Sequence, residues 1–255
     1  MKIHCLIENT CATDGLTAEH GLSLLIETGE HRILFDTGAS ADFAGNAARM
    51  GLDLSTVDMA VLSHGHYDHG GGLERFMELN EHAPIWVSRH AFEPHFNARG
   101  KDIGLNPALQ SHPRLRHAIP SPAPGISLHT GEGIPVAASD MTAICDGVNQ
   151  AEDFRHEQYL LIQEGDKRIL FSGCSHRGIL NIAAHFRADV LVGGFHLMNE
   201  TAPDRLRHLA TQLLELPTTY YTGHCTGNFA LATMQPLMGE RLRCFSTGNC
   251  LNLGI

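Results

Sequence analysis

Within six residues, His64-Gly65-His66-Tyr67-Asp68-His69, the chain places four side chains able to bind a metal, and three glycines, Gly70 to Gly72, follow. The loop comes directly after Met59-Ala60-Val61-Leu62, an apolar run that reads as a buried strand. Imidazole suits zinc, iron or nickel, and a carboxylate among imidazoles lets two neighbouring cations share one loop. One loop cannot close a metal site, so ligands must converge from elsewhere. His176, in Gly173-Cys174-Ser175-His176-Arg177-Gly178, and His224, in Thr222-Gly223-His224-Cys225-Thr226-Gly227, are the candidates, each at a strand-to-helix junction. His196, ending another strand, reads either as a ligand or as a donor behind the ligands, and His156 as a weaker candidate. His95, His112, His117 and His129 read as surface or pocket-lining residues.

Such a ligand set does hydrolytic chemistry. Two divalent cations a few ångströms apart lower the pKa of a shared water towards neutrality and clamp a substrate oxygen. Asp68 would orient one cation and hold the nucleophilic water. Arg177 adds a fixed positive charge suited to phosphate or carboxylate. Helix starts expected at Gly70 to Gly72 and after Gly227 offer N–H groups that favour anions. The expected catalytic set is Asp68, His196 and Arg177, and the expected partner is a small anionic substrate.

The elements that position these residues show an internal echo. Leu24 to Phe35 aligns without gaps on Leu160 to Phe171, each an apolar run, a polar turn with glycine and a second apolar run: a β-hairpin. Each hairpin is followed by a helical stretch and another buried strand, Val57 to Ser63 in one half and Ala188 to Gly194 in the other. Two similar β-rich halves with helices outside predict two sheets packed face to face under helical layers, ligands lying along one edge. Between the halves, about 88–149 is rich in Pro, His and Gly and weakly periodic, which predicts a lid-like insertion over the metal loop.

At 255 residues, 43% hydrophobic and 18% charged, the chain suits one layered α/β domain. A formal net charge of −10 argues against nucleic acid as a partner. No apolar run approaches the roughly 18 residues that span a bilayer, so no membrane partner is expected either. Seven scattered cysteines without a C-x-x-C pair fit a reducing cytoplasm better than a disulfide framework. A homo-oligomer stays open.

These motifs resemble the metallo-β-lactamase superfamily, whose hallmark is an H-x-H-x-D-H loop at a strand end. The residues that carry the resemblance are Ser63 to Gly72, Gly173 to Ile179 and Thr222 to Gly227, with Glu157-Gln158 and Thr130-Gly131-Glu132 in support. It extends over essentially the whole chain, and within the superfamily it is to the 7,8-dihydropterin-6-methyl-4-(β-D-ribofuranosyl)aminobenzene-5′-phosphate synthase group. The resemblance implies an αββα sandwich over residues 1–255 with a binuclear site at one edge. It implies His64, His66 and His176 on one metal, and Asp68, His69 and His224 on the other. Two Zn2+ ions are the default, with iron or manganese as alternatives.

One position departs from the family pattern. Superfamily hydrolases place a metal-bridging aspartate after the second hairpin, and here Cys174 stands there. A thiolate could bridge, since coordination deprotonates it; equally, the second metal could bind weakly. The expected activity is hydrolysis of a small anionic substrate such as a phosphodiester or cyclic phosphate. The alternatives are a pterin-type synthase forming a C–N bond with release of pyrophosphate, and a non-catalytic metal-containing sensor.

Overall fold

Two hairpins organise the chain, and each leads into a parallel run. In the first, Ser23–Glu27 pairs antiparallel with Arg32–Phe35; in the second, Gln158–Glu164 pairs antiparallel with Lys167–Phe171. The computed structural model, which describes residues 1–11, 13–117 and 121–254, shows that the echo is architectural. After the first hairpin come α1 (Asp42–Arg49), the strand Met59–Val61, α2 (Tyr67–Gly70), α3 (Leu73–Leu79) and the strands Ile85–Val87 and Leu115–His117. After the second come α4 (Ile179–Phe186), Val190–Val192, α5 (Pro203–Leu214), Thr219–Thr222, α6 (Asn228–Met238) and Leu242–Cys244. In both halves the hairpin's second strand is extended by three parallel strands. Lys2–Ile7 and Cys250–Asn252 complete a seven-stranded sheet, and Ile126–Thr130 completes a six-stranded one.

Side-chain alternation along these strands builds the layers. Ile26, Phe35 and Val61 of the first sheet meet Leu128, Leu160, Phe171 and Val192 of the second in the central core. The rings of Phe35 and Phe171 lie 5.8 Å apart across it. The alternate residues Leu25, Leu34 and Ala60 point outward, under Phe43 and Ala47 of α1 and Leu73 and Phe76 of α3. Leu170, Leu191 and Tyr220 do the same under α4, α5 and α6. The result is the expected αββα sandwich.

The segment over 88–149 departs from the sequence reading. It supplies edge strands to both large sheets, Leu115–His117 and Ile126–Thr130. A third sheet, in the order Val148–Ala151, Thr142–Cys145, His95–Phe96, stands beside the sandwich. These strands are two to five residues long and only partly buried, so they leave little periodic signal. No helix among the described residues is long and apolar enough to cross a membrane.

Parallel strands share a direction, so their carboxyl ends lie on one edge, where open α/β sheets bind ligands. Asp36, His64, Cys174, His176, His196 and His224 all follow such ends. The turns there are tight: Asp36, Phe154, Ser175, His196 and His224 have φ between 47° and 60°, five of the seven non-glycine residues with positive φ among those described. Such strain persists where the surroundings hold it, as at functional sites.

Candidate metal centre

Two cages of donors meet at Cys174. In the first, His69 Nε2 lies 3.1 Å from His224 Nε2 and 3.1 Å from Cys174 Sγ. Asp68 Oδ2 is 3.4 Å from His224 Nε2 and 3.9 Å from His69 Nε2. In the second, His64 Nε2 and His176 Nε2 are 3.3 Å apart, and the His66 ring lies 4.5 Å from that of His64 and 4.9 Å from that of His176. Two imidazoles holding zinc at about 2.0–2.1 Å in a tetrahedron stand about 3.3 Å apart. The facing nitrogens already have that spacing.

The candidate ligands are held from behind. His69 Nδ1–H donates to Asp36 Oδ2 at 2.7 Å, and Asp36 also accepts the N–H and the hydroxyl of Ser63, each at 2.7 Å. His224 Nδ1 donates to Asn9 Oδ1 at 2.8 Å, and its backbone N–H donates to Glu8. Glu157 accepts the N–H of His176 at 2.8 Å, and Phe154 stacks flat on the His176 ring at 4.6 Å. Fixing the far nitrogen sets which ring nitrogen faces a metal.

Among the described residues, five buried imidazole nitrogens lack a hydrogen-bond partner: His66 Nε2, His95 Nε2, His156 Nε2, His176 Nδ1 and His196 Nδ1. Buried polar groups without partners are rare, and so many in one cluster fit cation binding. Burial and neighbouring imidazoles hold the pKa of His64, His66 and His176 well below the usual range, so these rings are neutral and able to bind a cation. Burial opposes ionisation of Asp68, but His69, His20 and His224 outweigh it and keep the carboxyl well below its usual range.

The structure gathers His64, His66, Asp68, His69, Cys174, His176 and His224 in one place. His196 is at the rim: its ring lies 4.2 Å from that of His176, and its N–H donates to Cys225 Sγ at 3.3 Å. Arg177 has a different employment from the one its sequence position suggested. Its two terminal nitrogens donate to the carbonyls of Ile134 and Asp153, each at 2.8 Å, and so tether the intervening segment. Replacing it with alanine is expected to cost about 1–3 kcal/mol, as two paired carbonyls lose their donors, and to leave metal content unchanged. Faster proteolysis between 131 and 153 checks this; weaker substrate binding with unchanged proteolysis would restore the anion-binding role.

Gly70 to Gly72 are also corrected. Their N–H groups are occupied by the carbonyls of His66, Tyr67 and Gly38, so they form no anion cradle. They permit close packing: a Cβ on Gly72 would stand 2.4 Å from the carbonyl oxygen of Thr37 and 2.5 Å from that of Ser40. Gly72→Ala is expected to cost about 1–3 kcal/mol, read as a lowered urea midpoint.

Sequence reasoning missed several residues here. His20, on a loop with no metal motif, reaches Asp68 Oδ2 at 3.3 Å. Cys225 Sγ joins Cys174 and His224 in one group of donors within 4.8 Å of one another. His95, read as a surface or pocket-lining residue, is fully buried. A groove of about 590 Å³ between α6 and Leu242–Cys244 includes none of these ligands.

Known proteins share this architecture. The profile described as "Metallo-beta-lactamase superfamily" matches residues 16–141. A Methanocaldococcus jannaschii protein named 7,8-dihydropterin-6-methyl-4-(beta-D-ribofuranosyl)-aminobenzene-5'-phosphate synthase is 29% identical over 266 residues, covering 89% of this chain and 88% of its own. The crystal structure of Tm1679, described as a metal-dependent hydrolase of the beta-lactamase superfamily, superposes with a TM-score of 0.85 at 27% identity, covering 99% of each chain. Zn(2+)-bound PqqB from Methylobacterium extorquens shares the fold at a TM-score of 0.64 and 13% identity, covering 99% of this chain and 100% of its own. With its H-x-H-x-D-H loop at a strand end and its paired sheets, this chain belongs to the metallo-β-lactamase superfamily.

Proposed function

We propose that the chain is a metal-dependent hydrolase acting on a small anionic substrate, a phosphodiester or cyclic phosphate, with two Zn2+ per chain. The observation that carries this reading is the pair of facing imidazoles on each side of Cys174, at tetrahedral ligand spacing. Bound there, divalent cations supply Lewis acidity and an activated water. The chain's own groups supply the rest. The ionised Asp68 carboxylate, buried among His20, His69 and His224, would orient the attacking water. His196, with an unpartnered Nδ1 at the rim, is placed to give a proton to the leaving group. The third sheet within the 88–149 segment walls the site on the side of His66, through His95. Iron or manganese in place of zinc would leave this division of roles unchanged.

The relative named as a synthase supports a second reading: the same residues binding two substrates, with pyrophosphate released as a C–N bond forms. Elemental analysis of chelator-free protein, paired with assay of a phosphodiester, a phosphomonoester, a lactone and a dihydropterin diphosphate with an aminobenzene acceptor, separates the readings. About two metals per chain and turnover of one ester are expected. Pyrophosphate release with acceptor consumption would establish the synthase instead. Metal uptake with no turnover would favour a sensor.

A further inference from the structure

The intervening segment brings a second histidine–carboxylate pair to the edge of the centre. His95 sits on the short strand His95–Phe96 of the third sheet, and Glu152 directly follows that sheet's outer strand. Both are buried. His95 Nδ1–H donates to Glu152 Oε2 at 2.7 Å, which leaves the Nε2 lone pair free, and Nε2 has no partner. The arrangement repeats that of Asp36 behind His69, also at 2.7 Å, and a carboxylate behind an imidazole is how proteins orient a metal-binding histidine. The His66 ring lies 5.5 Å away, and its Nε2 is likewise buried and unpartnered.

We propose that His95 is a metal ligand, which with His66 forms a further divalent-cation position contiguous with the main centre, the Glu152 carboxylate orienting His95 from behind. Donor atoms of His66, His95, Glu152 and His156 all lie within 4.8 Å of one another. His156 is not a ligand in this arrangement. Its Nδ1 accepts the Gly65 N–H at 2.7 Å, so Nε2 keeps its hydrogen, 3.7 Å from Glu152 Oε1. It stacks on His95 at 3.9 Å and braces the pair.

An ordered water could bridge the same nitrogens, but it would leave the Glu152 charge uncompensated. The carboxylate's partners among the described residues are His95, His156 and the Phe154 N–H, with no Lys or Arg beside it. A divalent cation satisfies the orphaned nitrogens and the buried charge together. Two imidazoles, one backed by a carboxylate, suit zinc or iron. Because His66 also faces His64 and His176, filling both positions makes its ring a bridge, and the added cation binds more weakly than the first.

Diffraction at the zinc absorption edge, on crystals of the full chain grown with zinc, tests this directly. An anomalous peak about 2.0–2.1 Å from a ring nitrogen of each of His66 and His95, with Glu152 behind His95, is expected. In metal titrations of chelator-treated protein, the weakest step should vanish in His95→Gln and persist in His224→Ala. A water at that point, with no anomalous signal and the same stoichiometry in His95→Gln as in wild type, would overturn it. If His95→Gln does not fold, the wild-type crystal still decides. Failure of the hydrolytic reading would show as absent turnover and leave the peak in place.

Discussion

Asp68→Ala is expected to leave the fold intact, remove one cation per chain and lower hydrolysis by about 10²–10⁴-fold, the scale on which a positioned acid–base group acts. The fold survives because the structural contact here is the backbone: the Asp68 carbonyl accepts the Leu22 N–H at 3.2 Å. Among the described residues, the carboxylate itself pairs with His20, His69 and His224. Removing it deletes the carboxylate that these three imidazoles share and leaves His69 and His224 to hold the cation with Cys174. Asp36→Asn should be milder, about 10–100-fold in metal affinity, because the amide still accepts from Ser63 but orients His69 less firmly. Metal content by elemental analysis, read beside kcat for the same preparations, checks both. Asp68→Ala protein that keeps two metals and full activity would remove Asp68 from the mechanism.

How far the sequence revealed this centre depends on how each residue is held. The loop His64 to His69 was legible because all four donors fall within one turn after an apolar strand. His176 and His224 were legible from their strand-end positions, and the sandwich from the matching hairpins at Leu24 and Leu160. Arg177 was expected at the anion site because it follows a candidate ligand, whereas its guanidinium turns to two carbonyls, a direction that spacing does not encode. His95 and Glu152, separated by more than fifty residues, meet only through pairing of short strands in the third sheet. His20 was hidden for a similar reason: it reaches Asp68 from a loop that pairs with nothing periodic. In each missed case the signal lay in tertiary proximity, and in each recovered one it lay in a strand and the residues just past its end.

Metal loading is expected to depend on pH on one side of the centre and not on the other. In the metal-free protein His224 is raised to about 9; burial opposes this, but Cys225, Asp68 and Glu8 outweigh it. His64, His66 and His176 are shifted the opposite way and carry no proton near neutrality. A cation at His224 must displace that proton, so its affinity should fall about tenfold for each pH unit below about 9. Loading of the His64, His66 and His176 side should be nearly flat between pH 7 and 9. Folding responds with the reverse sign. A pKa raised above the unfolded value stabilises the metal-free protein fully below about 6.5, and that contribution is lost as pH rises through about 9. Burial raises the Cys174 thiol well above its usual range, so a Cys174 ligand releases a second proton unless Cys225 takes it up. Proton release per metal, measured by calorimetry in two buffers of different ionisation enthalpy, is therefore expected at one or more for the second metal bound at pH 7. A smaller release in Cys174→Ser would place the thiolate among the ligands. Equal release from both proteins would leave Cys174 beside the metal rather than on it, with His69, His224 and Asp68 as the whole protein contribution to that side.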